Sequence, residues 1–276
     1  MICKIENTRL VTELFAGWQE TLIWSCLDGS MGAVYAESDG KPKSAMAQIG
    51  DFCFFAGVPD KNLVSFKPKE KAFQTFVIMC AQTENWNRLI EEVYGQNARR
   101  VTRYAIKKQP DVFNREKLQQ IVQSLPAGFE LKAIDQPLYR QALVNPLCRD
   151  WCSQFADYEQ YQKHGLGFVI LKEGQIVSGA SSYSFYKGGV EIEIDTEQRH
   201  RHRQLCHAVG GIAHHIAHRD TASAAIGKVD VVKAGGNGSE VGLFTINDIL
   251  KELEKPGRDP RDELPPPLLR ADVMDM

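Results

Sequence analysis

The stretch Val190-Glu-Ile-Glu-Ile-Asp-Thr196 alternates apolar and acidic side chains from its first residue to Asp195. Such alternation is typical of a β-strand with one apolar and one polar face, so its three acidic residues are predicted to share a face. Two more strand patterns, Gly167–Leu171 and Gln175–Phe185, come just before it, and Gly174 and Gly188 provide turns. We therefore predict an antiparallel meander of three strands.

Helical patterns flank this predicted meander. A strand pattern at Phe129–Ile134 and two short helical patterns, around Pro137–Leu143 and Arg149–Phe155, precede it. A further helix is predicted from Arg203 to about Ala217. The order strand, two helices, three strands, helix predicts an α+β module over residues 126–218.

The first 125 residues predict a companion α/β domain of their own. Leu10, Leu14 and Trp18 recur at helical spacing and predict an opening amphipathic helix. The other patterns are strands at Met31–Ala36, Asp51–Ala56, Phe73–Cys80 and Arg100–Ile106, and helices at Trp86–Tyr94 and Lys117–Leu125.

Residues 219–276 have a different character. Ala234–Ser239 is glycine-rich and predicts a linker, and Ile246–Leu253 could form one short helix. Five of the twelve prolines lie between Pro256 and Pro267, so we expect an irregular tail.

Composition excludes several classes of protein. The chain has 276 residues and a net charge of −2, so no overall basic field favours nucleic acid or anionic lipid. The apolar run Phe76–Ala81 is too short to span a bilayer. Seven scattered cysteines without a CxxC pair predict reduced thiols in a cytoplasmic protein.

The end of the acidic strand leads into a basic segment, Arg201-His-Arg-Gln-Leu-Cys206, which begins the predicted helix. Free N–H groups at a helix start, with Arg199, Arg201 and Arg203 beside them, suit a pyrophosphate. On the residue pattern alone a solvated basic surface is the competing interpretation, and it is the favoured one.

Two carboxylates of the strand, Glu191 and Glu193, are the candidate catalytic residues. Either could act as a general base toward an attacking amine, directly or through water. The alternative, that they form only the polar face of a half-exposed strand, carries equal weight. Cys148 and Cys152 have helical spacing, and core packing is favoured over a reactive thiol.

Five long motifs stand out in the chain. They are Trp24-Ser-Cys-Leu-Asp-Gly-Ser-Met-Gly32, Gly50-Asp-Phe-Cys-Phe-Phe-Ala-Gly57, Thr102-Arg-Tyr-Ala-Ile-Lys107, Gly167-Phe-Val-Ile170 and Ser178-Gly-Ala-Ser-Ser-Tyr183 through Thr196. Together they resemble one family, the GNAT acetyltransferases of the zwittermicin A resistance type, over roughly residues 8–215. The resemblance implies a central mixed sheet and an acetyl-CoA-dependent N-acetyltransferase.

The resemblance also implies where the coenzyme binds. Its pyrophosphate pattern is Gln/Arg-x-x-Gly-x-Gly/Ala, and Arg201 fits the first position, whereas Gln204 and Cys206 replace the small residues. A glutamine there crowds the close approach of backbone to phosphate that glycine allows. The implied coenzyme residues are Ile194 and Thr196 along the pantetheine arm, and Arg201, Arg203, Gln204, Leu205, Cys206, His207 and Ala208 at the pyrophosphate.

The C-terminal segment resembles another family. Residues 242–276, including Thr245-Ile-Asn-Asp-Ile-Leu-Lys251 and Leu264-Pro-Pro-Pro-Leu-Leu-Arg270, look like Tex-type transcription accessory proteins just before their nucleic-acid-binding S1 domain. No S1 sequence follows, and the motifs that the acetyltransferase family carries after its coenzyme helix are missing. We interpret this as a fusion of most of an acetyltransferase with a piece of another protein, and a tail evolved for function is the competing view.

These resemblances imply acetyl transfer from acetyl-CoA to a primary amine of a small molecule, with an aminated antibiotic suggested by the resistance type. The alternative is an inactive or weakly active remnant fused to a fragment of a nucleic-acid-binding protein. We expect no membrane partner and no nucleic-acid partner. His214 and His218 would share a helical face, but a polar surface is favoured there over a metal site.

Overall fold

The computed structural model describes residues 2–68, 77–98 and 123–203, together with residues 100, 116, 120, 230–231 and 242–243. Contacts divide the chain into two units, residues 1–98 with 113–226 and residues 99–112 with 227–276. The described elements of the second unit are two short antiparallel strands, Asp230–Val231 and Gly242–Leu243. Every other element below belongs to the first unit.

A five-stranded sheet forms from the N-terminal third of the chain. Its strands lie in sequence order, antiparallel except for the last pair, which is parallel. They are β1 (Cys3–Lys4), β2 (Ala33–Ala36), β3 (Ser44–Ile49), β4 (Phe52–Gly57) and β5 (Ile78–Ala81). The helices are α1 (Thr21–Leu27), α2 (Lys61–Ser65) and α3 (Glu84–Tyr94).

A four-stranded antiparallel sheet forms from residues 129–196, again in sequence order. Its strands are β6 (Phe129–Ala133), β7 (Gly167–Lys172), β8 (Gln175–Tyr186) and β9 (Gly189–Thr196). Between β6 and β7 lie α4 (Gln136–Val144) and α5 (Tyr158–His164). Side chains cap both helices at their N-termini, because Asp135 accepts from the Leu138 N–H and Asp157 from the Gln160 N–H.

One buried cluster joins the two sheets. It contains Val34 and Phe54 of the first sheet together with Val169 and Tyr183 of the second. Helix α1 contacts both β3 and β8, and its Ser25 hydroxyl donates to the Phe185 carbonyl at 2.6 Å. Burial of this apolar surface is the main force that holds α1 against both sheets.

Two further clusters cover the outer faces of the sheets. On the first sheet, Met46 and Phe55 pack with Trp86 of α3 and with α2. On the second sheet, Phe168 and Ile170 form a separate cluster on the face away from the joint core. Each sheet therefore has apolar side chains on both faces, as expected for an α+β protein.

The predicted α+β class is confirmed, with a mixed sheet and flanking helices. The four predicted strands of the second sheet are present, and their bounds differ from the predicted ones by at most one residue. The predicted helix at Trp86–Tyr94 is also present, as α3.

The opening amphipathic helix is a wrong prediction. Residues Thr8–Leu10 and Thr12–Phe15 form two short 3₁₀ turns, and the buried side chains there are Val11 and Phe15 rather than the predicted stripe. Gly17 then adopts a φ of +86°, which ends the helical run. The first α-helix begins later, at Thr21, where no helix was predicted.

The second predicted helix of the module is also placed wrongly. Arg149–Trp151 is a 3₁₀ turn, and the true helix is α5, which begins after Asp157. Strand β3 was missed because its residues are buried on both faces and do not alternate. The predictions at Arg100–Ile106, Lys117–Leu125, Arg203–Ala217 and Ile246–Leu253 lie wholly or largely outside the described residues.

Candidate functional site

The acidic face of β9 forms as the sequence predicts. The strand is continuous and antiparallel to β8 over its whole length, so its alternate residues Glu191, Glu193 and Asp195 lie on one face. All three side chains are half-buried. A half-buried carboxylate is still accessible to a bound amine while part of its surface is shielded from water, which suits proton transfer.

Glu191 has a hydrogen-bond partner in α1. The hydroxyl of Thr21, the first residue of that helix and itself fully buried, donates to Glu191 Oε2. This contact joins the N-terminal third of the chain to the candidate site. It also occupies one oxygen of Glu191.

Glu193 lies near a buried tyrosine. The hydroxyl of Tyr183 on β8 donates to Asp51 Oδ1 at 2.8 Å, and Asp51 lies in the turn between β3 and β4. Burial raises the pKa of Tyr183 far above its ordinary value, and the charges of Asp51 and Glu193 raise it further. Tyr183 therefore keeps its proton at neutral pH and acts as a hydrogen-bond donor rather than as an acid.

The main-chain groups of β9 point alternately toward β8 and toward the opposite edge of the strand. The Glu197 N–H donates to the Val177 carbonyl of β8 at 2.8 Å, so by alternation residues 195 and 193 also bond to β8. The main chain of Ile194 and Thr196 consequently faces the opposite edge, where the Thr196 N–H donates to Asp195 Oδ1 at 2.8 Å. Among the residues that the structure describes, β9 has no second strand partner. This is the edge predicted to run beside the pantetheine arm.

The predicted pyrophosphate loop is only partly covered by the structure. Residues Gln198–Arg203 form a 3₁₀ turn directly after β9, and Arg201 and Arg203 belong to this turn. Gln204, Leu205, Cys206, His207 and Ala208 lie outside the described residues. No group of His, Cys, Asp or Glu suited to a metal ion occurs in the part of the chain that the structure covers.

Cys148 and Cys152 lie in the core beside the site. Both side chains are buried, and Cys152 Sγ is 3.9 Å from the Ser181 hydroxyl. Burial raises the pKa of the Cys148 thiol to about 12 and that of the Cys152 thiol to about 11. The thiols are therefore neutral at physiological pH, in agreement with the core-packing interpretation.

The raised pKa values of the two buried thiols predict slow alkylation of the folded chain. At pH 8 we expect iodoacetamide to modify the half-buried Cys3 well before Cys148 or Cys152, because burial shields the two core thiols and their raised pKa values keep them in the unreactive neutral form. Mass spectrometry of peptides from timed samples measures the order, and the urea-unfolded chain is the control, with equal rates. Equal labelling of Cys152 and Cys3 in the folded chain would contradict the assignment.

Three functional neighbours were not predicted from sequence. Asp51 and Tyr183 lie within motifs that carry the family resemblance, and Thr21 lies three residues before the first of them, but none has a local pattern that assigns it to a site. Their roles depend on hydrogen bonds between residues more than one hundred positions apart.

The fold and this strand define the class of an acyl-group transferase. Residues 12–217 match a family model described as GNAT acetyltransferase, so the chain belongs to the GNAT acetyltransferase family. Residues 203–261 match the model of an HHH domain. The two matches overlap over residues 203–217. No curated protein matches the chain.

A solved structure with 39% identity supports the family assignment. A GCN5-related N-acetyltransferase-like protein from Streptococcus suis is 39% identical over 80% of this chain and 87% of its own, with a TM-score of 0.74. A GCN5-related N-acetyltransferase from Kribbella flavida is 12% identical over 87% of this chain and 90% of its own, with a TM-score of 0.39.

None of the helices in the described ranges is long and apolar enough to cross a membrane.

Proposed function

We propose that this chain transfers an acetyl group from acetyl-CoA to a primary amine of a small molecule. The observation that carries the proposal is the arrangement on β9, where Glu193 lies on one face and the main chain of Ile194 points to the edge opposite β8. One strand thus offers a base for the amine and a main-chain edge for the pantetheine arm.

In the proposed reaction the amine attacks acetyl-CoA directly, and Glu193 serves as the base. Glu193 accepts a proton from the acceptor ammonium, directly or through one water molecule, and leaves a neutral amine. The amine nitrogen attacks the thioester carbon, and the carbon–sulfur bond then breaks. The nitrogen loses one more proton as the amide forms, and the leaving coenzyme thiolate takes up a proton to become the thiol. Alignment of the two substrates along β9 supplies the remaining rate acceleration.

The acceptor is proposed to be an aminated small molecule such as an antibiotic, in keeping with the resistance type that the sequence resembles. Acetyl-CoA is the co-substrate, held by Ile194, Thr196 and the segment from Arg201 to Ala208. We further propose a cytoplasmic location and no membrane or nucleic-acid partner.

A second candidate function is favoured by the overlap of the two family matches at residues 203–217. The predicted pyrophosphate residues from Arg203 to Ala208 fall within this overlap, and Gln204 stands where the resemblance implies glycine. The second candidate is therefore a weakly active or inactive acetyltransferase remnant fused to part of a Tex-type nucleic-acid-binding protein.

The two candidates are separated by an assay on the full chain. Acetyl-CoA is mixed with a panel of aminosugars, aminoglycosides and polyamines, and mass spectrometry detects the acetylated amine. We expect at least one amine to be acetylated, at a rate well below that of an intact relative such as the Streptococcus suis protein, assayed in parallel if it acts on the same panel. Absence of any product, with no acetyl-CoA binding by calorimetry, would favour the remnant.

A further inference from the structure

Strand β8 contains an extra residue next to the candidate site. Ser182 pairs with Ile192 and Ser184 pairs with Glu191, so Tyr183 is the bulged residue, opposite the link between Glu191 and Ile192. A β-bulge bends its strand and changes the direction of nearby side chains. The direction of the two candidate carboxylates on β9 therefore depends on how this bulge is held.

The bulge is held from the first sheet. The Tyr183 side chain is 6% exposed, and its hydroxyl donates to Asp51 Oδ1 at 2.8 Å. The Phe52 ring packs edge-on against the Tyr183 ring with centroids 5.9 Å apart. Gly50 has a φ of +55°, and a Cβ built on it would overlap the Tyr183 hydroxyl, so only glycine allows this approach.

Two hydrogen bonds to main-chain carbonyls hold the turn that contains Asp51. Its main-chain carbonyl accepts from the Ile78 N–H at 2.7 Å, where β4 and β5 begin their parallel pairing. The Gly50 carbonyl accepts from the buried side-chain amide of Gln48 at 2.7 Å. These two hydrogen bonds hold the turn that contains Asp51, and so they hold the acceptor of the Tyr183 hydroxyl in place.

We propose that Tyr183 is a positioning residue for the acetyl transfer: its hydrogen bond to Asp51 holds the β8 bulge, and the bulge sets the direction of Glu193 on β9. This inference rests on the proposed function. It gives the N-terminal sheet a defined role, because that sheet provides the acceptor that orients the catalytic strand. Tyr183 acts through the strand and does not touch the reacting atoms.

The test compares three variants of the full chain at 25 °C, with melting temperatures recorded for each. Tyr183→Phe removes the donor, Asp51→Ala removes the acceptor, and Asp51→Asn removes the charge but keeps an oxygen that can accept. Tyr94→Phe is the matched control, because its hydroxyl also makes a partly buried hydrogen bond, to the Val64 carbonyl at 3.0 Å, between α3 and α2. The measured quantities are kcat and the KM for acetyl-CoA.

We expect Tyr183→Phe and Asp51→Ala each to lower kcat about 10-fold, since a small misplacement of reacting groups is costly. The KM for acetyl-CoA should stay within about twofold, because the β9 edge is unchanged. Asp51→Asn should recover most of the lost kcat, and the double variant Tyr183→Phe with Asp51→Ala should lose no more than either alone.

Several results would overturn the proposal. Wild-type kcat in Tyr183→Phe, or equal losses in Asp51→Asn and Asp51→Ala, would exclude positioning by this hydrogen bond while leaving the proposed function intact. A similar kcat loss in Tyr94→Phe would indicate a general stability effect. An inactive wild-type chain would overturn the proposed function and this inference with it.

Discussion

Replacement of Glu193 by glutamine is expected to lower kcat for acetyl transfer by about 100-fold or more, the usual range for loss of a general base. Glutamine has nearly the same shape and accepts hydrogen bonds, but it cannot take the proton of the acceptor ammonium. The strand itself should be unchanged, so acetyl-CoA affinity measured by calorimetry should stay within about twofold, in keeping with loss of a transition-state interaction alone.

The matched control for this variant is Glu130→Gln. Glu130 is an exposed carboxylate on β6 of the same sheet, and it pairs with Lys132 at 3.1 Å. Surface pairs of this kind contribute little, so its removal should leave kcat unchanged. Glu191→Gln tests the other candidate carboxylate, whose Oε2 accepts from the Thr21 hydroxyl. If Glu193→Gln kept wild-type kcat, Glu193 would be no more than part of a polar strand face.

Replacement of Trp151 by alanine is expected to lower the free energy of unfolding by about 3–5 kcal/mol, the range found for large aromatic residues in well-packed cores. Trp151 is 1% exposed and belongs to the cluster that joins the two sheets. Its ring lies against Gly179, where an added Cβ would overlap ring carbons, and Gly179 pairs with Asp195 of β9. The cavity would therefore open directly beneath the candidate strand.

Urea denaturation followed by circular dichroism measures this change. Val144→Ala is the control, because Val144 is 81% exposed at the end of α4 and its truncation should change stability by less than about 0.5 kcal/mol. A loss below about 1 kcal/mol for Trp151→Ala would mean that the core around Gly179 collapses into the space or is less tightly packed than its burial indicates.

The second sheet shows how much local sequence can predict. Its strands are antiparallel, β7, β8 and β9 are joined by short turns, and apolar and acidic residues alternate in β9, so periodicity identified all four strands. Strand β3 escaped prediction because both of its faces are buried, which removes the alternation. Helix α1 escaped for a similar reason, since most of its residues are buried between the sheets and no polar stripe remains.

Only the part of the candidate site that is built from residues close together in the sequence could be predicted. Because strand geometry repeats every two residues, the sequence alone predicts that Glu191, Glu193 and Asp195 share a face. It also predicts the basic turn that follows them. The partners of that face were decided by the tertiary structure alone: Thr21 is 170 residues from Glu191, and Asp51 is 132 residues from Tyr183. Such pairs form only when apolar burial brings the two sheets together around α1. The bulge at Tyr183 also interrupts the two-residue repeat of β8, and this repeat is what allows a strand to be predicted from sequence.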